Sequence, residues 1–142
     1  METKNANGGA GFTEYNDGTI QFETTQWSQG YYDNGKIWQT FTLPEGKYEM
    51  RIEVKNAANI GSGSTNIHFA VAQGESLPDN EELEKSDIIL SYLKFESEHT
   101  NKTSALPIFE LTEEKTITVG WVVSFSDICR NIEFKSVRLW SV

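Results

Sequence analysis

The chain has 142 residues, of which 37% are hydrophobic, 12% aromatic and 23% charged, a balance that fits one domain with its own core and excludes a disordered acidic tail. Twelve Lys and Arg against 21 Asp and Glu leave a net charge of -9, which repels phosphate backbones and anionic membrane surfaces, so no nucleic-acid partner is expected. A lone cysteine, Cys129, excludes an internal disulfide and a multi-cysteine zinc site, and reads as a half-buried thiol rather than a nucleophile.

The polar start "METKNANGGAG" lacks the apolar centre of a signal peptide, and no apolar run approaches the ~18 residues of a membrane helix. Direct membrane insertion is not expected, and any targeting segment lies outside this sequence. Residues 1–10 are assigned to a flexible polar segment and 11–142 to a single β-sandwich domain.

Period-2 alternation dominates the chain beyond this segment. "TIQFET" turns Ile20 and Phe22 to one side after the turn residues Asn16, Asp17 and Gly18. In "KIWQTFTL", Ile37, Phe41 and Leu43 oppose Trp38, Thr40 and Thr42; in "KYEMRIEVK", Tyr48, Met50, Ile52 and Val54 oppose five charged residues. The intervening "PEG", 44–46, reads as a turn, and the pair is predicted to form a hairpin with Trp38 on its polar face. "NIHFAVAQ" aligns Ile67, Phe69 and Val71, and places His68 mid-strand as a satisfied strand residue rather than a ligand.

"NIGSGST" is a loop without the Gly-Lys-Ser/Thr ending of a phosphate cradle. "LPDNEELEKS" is the one helical turn, with Asp79 as its cap and Glu82 three residues on. "SDIILSYLKFE" is apolar in both phases and reads as a strand covered on both sides or a short helix, with length and β-branching favouring the strand. "NKT" at 101–103 is a glycosylation sequon, meaningful only in a eukaryotic secretory setting. "KTITVGWVVSF" lines up Ile117, Val119, Trp121, Val123 and Phe125 as a central buried strand. "NIEFKSVRLWSV" slips phase between Phe134 and Val137, predicting a bulge near Lys135 and Ser136 that turns Arg138 and Trp140 to the opposite face.

About eight strands with regular turn signals predict an all-β fold, an antiparallel two-sheet β-sandwich; without paired cysteines, a jelly roll is preferred to an antibody-type domain. The framework Gly35-Lys36, Gln39-Thr40, Leu43-Pro44, Gly46, Tyr48 and the closing Val137-Arg138-Leu139 resembles a galactose-binding-like jelly roll. More narrowly, it is similar to a domain of unknown function carried by surface lipoproteins of polysaccharide-degrading Bacteroidetes. The resemblance implies a non-catalytic carbohydrate-binding module of a secreted or outer-cell-surface protein, with the periplasm as second choice, holding polysaccharide or oligosaccharide as part of a larger surface protein. It implies no catalytic cofactor. Some members of the wider fold carry structural calcium, for which Asp17 and Asp33 are acidic turn residues here, although no calcium-loop pattern is present.

The stretch 24–38 gathers Trp27, Tyr31, Tyr32 and Trp38 among Gln26, Gln29 and Asn34. In one reading the rings form a platform for the C–H face of a pyranose while the amides reach its hydroxyls. In the other, the rings close one end of the sandwich and the domain is a structural or protein-interaction spacer with no sugar ligand. Exposure of the rings decides between them. Trp121 belongs to the core by phase. Enzymatic function is not expected: no GxSxG, HExxH or two-cysteine pattern is present, only His68 and His99 are available, and no acid sits in an apolar setting.

Overall fold

The computed structural model describes residues 2–7, 11–14, 20–23, 31–57, 65–125 and 131–142; for residues 2–33, Thr65, Phe125 and Asn131 the description is of the backbone. Eleven strands build it: β1 Glu2–Asn7, β2 Gly11–Glu14, β3 Ile20–Glu23, β4 Tyr31–Leu43, β5 Gly46–Asn56, β6 Thr65–Gln73, β7 Ile89–Lys94, β8 Lys102–Ala105, β9 Phe109–Leu111, β10 Lys115–Phe125 and β11 Asn131–Ser141. Among the described residues, helix is confined to α1, Asn80–Leu83, and a 3-10 turn at Ser97–His99. Residues 2–7, within the polar segment set apart in the sequence, pair with β4 as β1.

The strands form two antiparallel sheets, one ordered β1-β4-β10-β6-β7, the other β2-β3-β11-β5-β8 with β9 also on β5. The expected β-sandwich is the fold. Strand β10 is the middle of its sheet, as its apolar run requires. Trp121 is 1% exposed, and its indole meets Phe69, Phe95 and Phe134 at ring distances of 5.2, 4.8 and 4.8 Å. These contacts tie β10 to β6, to the chain leaving β7, and across the interior to β11.

One expectation needs correction. Strands β4 and β5 do not pair as a hairpin; they lie in different sheets, and Pro44 and Glu45 carry the chain from one layer to the other. The Tyr48 hydroxyl donates to the Pro44 carbonyl at 2.8 Å and fastens this corner. Alternation still places Ile37 in one core with Met50 and Ile52. The turn signal marked where the strands end but carried no information about their partners.

The bulge in β11 lies where the slipped phase put it, with register shifts on both sides of Phe134 before Ser136. Phe134, Val137 and Leu139 face the core, while Trp140 is 44% exposed. Strand β4 has a bulge of its own: Gly35 pairs with Val123 but Tyr32 with Phe125, so one extra residue is accommodated there, and Asn34 adopts φ 56°.

A smaller second core lies on the outer face of the β10 sheet. Ala70, Ala72 and Val122 are covered by Leu77 and Leu83 from the chain around α1, with Trp38, Ile89 and Tyr92 packed at its margin. Trp38 therefore lies against apolar cover rather than on a wholly polar face. The β4–β10 approach beneath it is tight: a Cβ on Gly120 would run into the Ile37 carbonyl oxygen and stand 2.8 Å from Trp38 Cα.

Two substitutions in β10 test this packing by urea unfolding. Trp121→Ala should lose about 3–5 kcal/mol through the cavity it opens. Gly120→Ala, which only adds a methyl group, should still lose about 1–3 kcal/mol because the obstructing atoms belong to a paired backbone.

Candidate functional site at one end of the sandwich

Strand registers collect several chain crossings at one end. Tyr32 pairs with Phe125, which also pairs with Thr65; Asn131 pairs with Glu23, and Asn56 with Glu133. The ends of β3, β5 and β10 and the starts of β4, β6 and β11 therefore gather at this end. Among the sequence-predicted site residues, Trp27, Gln26 and Gln29 lie outside the described residues, as do Asp17, Cys129 and most of the "NIGSGST" loop. Tyr31 and Tyr32 open β4, with backbones paired to Asn7 and Ala6; Asp33 follows them in the same strand.

Beneath this end lies a polar floor that the sequence did not announce. Asn34, 6% exposed, donates its backbone N–H to Ser124 Oγ at 3.0 Å and its side-chain Nδ2 to Glu81 at 3.4 Å, while its Oδ1 accepts the Asn80 backbone N–H at 2.7 Å. Asn80 is 4% exposed. Its Nδ2 donates to the Asn66 carbonyl at 3.0 Å and to Ser124 Oγ at 2.8 Å. With that amide edge donating, Asn80 Oδ1 must accept, so His68 Nδ1 donates to it across 2.8 Å. The Glu84 carboxylate stands 3.3 Å from His68 Nε2, and the Tyr92 ring meets the imidazole edge-on at 6.0 Å. His68 is the satisfied strand histidine expected of it.

Asp79 sits at the N-cap position of α1, but its side chain makes no capping bond. Lys36 Nζ draws the carboxylate away at 2.6 Å while also donating to the Leu77 carbonyl at 2.9 Å. The floor thus anchors α1 to the β4 bulge, and it commits the Asn34 amide to protein partners. Asn66 Oδ1 is buried with no hydrogen-bond partner among the described residues.

Trp38 stands apart from the tyrosines. It lies six residues beyond Tyr32 on β4, about 20 Å at ~3.3 Å per residue. A pyranose spans a fraction of that length, so one sugar ring cannot rest on both positions. No group of three or more His, Cys, Asp or Glu is arranged to hold a metal ion among the described residues, and no helix among them is long and apolar enough to cross a membrane.

A concavity of about 470 Å3 opens between the sheets, lined by residues including Gln39, Phe41, Met50, Trp121, Val137 and Leu139. It lies where both sheets lose a neighbour: β1 pairs with β4 only as far as Trp38, and β3 with β11 only as far as Phe134. Trp121 Nε1 has no hydrogen-bond partner among the described residues.

With the geometry in place, comparison with known proteins adds two findings. One family profile spans residues 1–120. The chain belongs to that family, the Domain of unknown function DUF5013. Among curated proteins, none matches it. In structure this DUF5013 domain is similar to the Emp47p carbohydrate recognition domain, at 10% identity over 97% of this chain and 89% of that one, with a TM-score of 0.57. It is also similar to TmCBM61 in complex with β-1,4-galactotriose, at 12% identity over 96% and 87%, TM-score 0.50. A third likeness is to Xylanase10C from Cellvibrio japonicus in complex with xylopentaose, at 15% identity over 100% of this chain and 28% of that one, TM-score 0.51. At these identities the likeness is one of fold.

Asn80 offers the test of the floor. Asn80→Ala removes the group that joins His68, Asn66 and Ser124, leaving buried polar atoms unpaired at about 1–3 kcal/mol. Amide hydrogen exchange should accelerate first around α1 and the start of β4, while protection in β10 persists.

Proposed function

We propose that this DUF5013 domain is a non-catalytic carbohydrate-binding module of a secreted or cell-surface protein, holding glycan weakly at the end of the sandwich where β4 begins. The observation that carries the reading is the gathering of the ends of β3, β5 and β10 with the starts of β4, β6 and β11 at one end of the sandwich, where the strand start bearing Tyr31 and Tyr32 leads into the hydrogen-bonded amides of Asn34 and Asn80. Trp27, Gln26 and Gln29 belong to the connection that enters this strand. The fold shared with a carbohydrate recognition domain and a galactotriose-bound module supports the same reading.

Aromatic rings there supply C–H stacking at roughly 0.5–1.5 kcal/mol each beyond area burial, and each amide hydrogen bond nets about 1 kcal/mol. Two rings and a few hydrogen bonds give roughly 3–6 kcal/mol, a dissociation constant from about millimolar to tens of micromolar. Such affinity serves a domain tethered within a larger surface protein, where a polymer with many sites raises the effective concentration. The alternative, a spacer without sugar ligand, draws support from Trp38, whose ring packs at the margin of the second core.

The two readings separate in a native gel cast with polysaccharides, read beside thermal melts. Tyr32→Ala should abolish retardation by a binding polysaccharide while the melting temperature stays within about 3 °C of the parent, as for a surface substitution. Trp38→Ala should lower stability by about 1–3 kcal/mol, through the packing it removes, with retardation kept wherever the protein is folded. If no polysaccharide retards the parent domain, or Tyr32→Ala is retarded equally, the spacer reading replaces the sugar site.

A further inference from the structure

The outer faces of the two sheets are treated differently. That of the β10 sheet is covered by the chain around α1, whereas Lys47, Arg51, Lys55, Arg138 and Trp140 on the outer face of the β5–β11 pair are exposed. On that bare face Arg51 and Arg138 are register partners. Like charges directly opposite each other on paired strands oppose folding. This rung therefore costs stability, in a chain that carries only 12 basic residues against 21 acidic ones.

Arg51 is held on two sides. Its Nε donates to Glu49 at 2.6 Å, and its guanidinium carbon lies 5.0 Å above the centre of the Trp140 ring. Arg138 is exposed and has no ion-pair or hydrogen-bond partner among the described residues. On the other side of Arg51 the rung continues to Ala105, whose small side chain leaves the guanidinium unobstructed. Of the nearby acids, Glu49 is engaged with Arg51 and Glu53 accepts the Ser136 hydroxyl at 3.2 Å one rung away. The rung itself carries two guanidiniums, with the Glu49 and Glu53 carboxylates one rung to either side.

We propose that Arg51, Arg138 and Trp140 form a binding site for a glycan bearing uronic acids. The proposal rests on the reading of the domain as glycan-binding, but it places an acidic sugar on a surface separate from the strand-end site. A uronate carries a carboxylate fixed beside an apolar C–H face, which matches two guanidiniums beside a part-exposed indole. Arg51, already positioned by Glu49 and Trp140, loses little freedom on binding. A protein partner fits less well, because one tryptophan among charges offers no apolar centre for a stable interface.

The test is a titration of the isotope-labelled domain, followed by amide chemical shifts, with trigalacturonate, its methyl ester, an alginate trisaccharide and polyglutamate. The expected result is binding of at least one uronate, with shifts centred on β5 and β11, at least tenfold tighter than the methyl ester and weakened by salt. Arg138→Ala should reduce that affinity at least tenfold while the melting temperature stays equal or rises, since the variant relieves repulsion; Arg138→Lys should lose only part of it. Tyr32→Ala should bind the uronate as the parent does, so loss of the strand-end site and loss of this one are separable. Absence of binding to both uronates, equal affinity for the methyl ester or polyglutamate, or an Arg138→Ala variant that binds unchanged would overturn the proposal.

Discussion

The burial of one indole between the sheets organises the molecule. Trp121 reaches ring contact with Phe69 on its own sheet and with Phe134 on the other, so the spacing of the layers and the register of β11 against β5 answer to the same side chain. Its neighbour Gly120 then faces outward where β4 presses close, and only a residue without Cβ allows that approach. Large inside and absent outside, these consecutive residues set both the thickness of the core and the tightness of the sheet. The second core under α1 is built on the outer surface of the same sheet.

Much of the framework was legible because the strands are half-wet. In β5 the residues from Tyr48 to Val54 alternate between buried and charged, a pattern that leaves no other assignment. The bulge of β11 was legible for the same reason: when phase slips and then resumes, a residue has been inserted. Partnership was not legible. A turn of Pro44, Glu45 and Gly46 between two alternating strands fits a hairpin and a crossing between layers equally well locally. What separates them is where β10 and β11 lie, information held far along the chain.

The site was legible in part and for different reasons. Aromatic residues near the start of β4 stand out by composition, but composition does not tell that Trp38 is a long step along the strand from Tyr32 or that it meets an apolar cover. The floor of Asn34, Asn66, Asn80 and Ser124 left no signal, because buried amides look in sequence like any turn or loop residue. Only the neighbouring pair Asn34-Gly35 gave a local sign, suited to the left-handed backbone that Asn34 adopts. Asp79 shows the reverse case: a capping residue by position, it is claimed instead by the charge of Lys36.

The bulge at Asn34 has a chemical side as well. An asparagine followed by glycine is prone to deamidation, in which the next backbone nitrogen attacks the side-chain amide carbon and ammonia leaves. Here the Asn34 amide is buried and held by Asn80 and Glu81, and Gly35 is paired in the strand, so the attacking geometry is withheld while the domain is folded. Each excursion to the unfolded state exposes the pair and lets the reaction proceed, placing a carboxylate where the floor needs an amide donor beside Glu81. The fold therefore protects its own covalent integrity at this position, and chemical ageing of the domain is tied to how often the start of β4 comes loose.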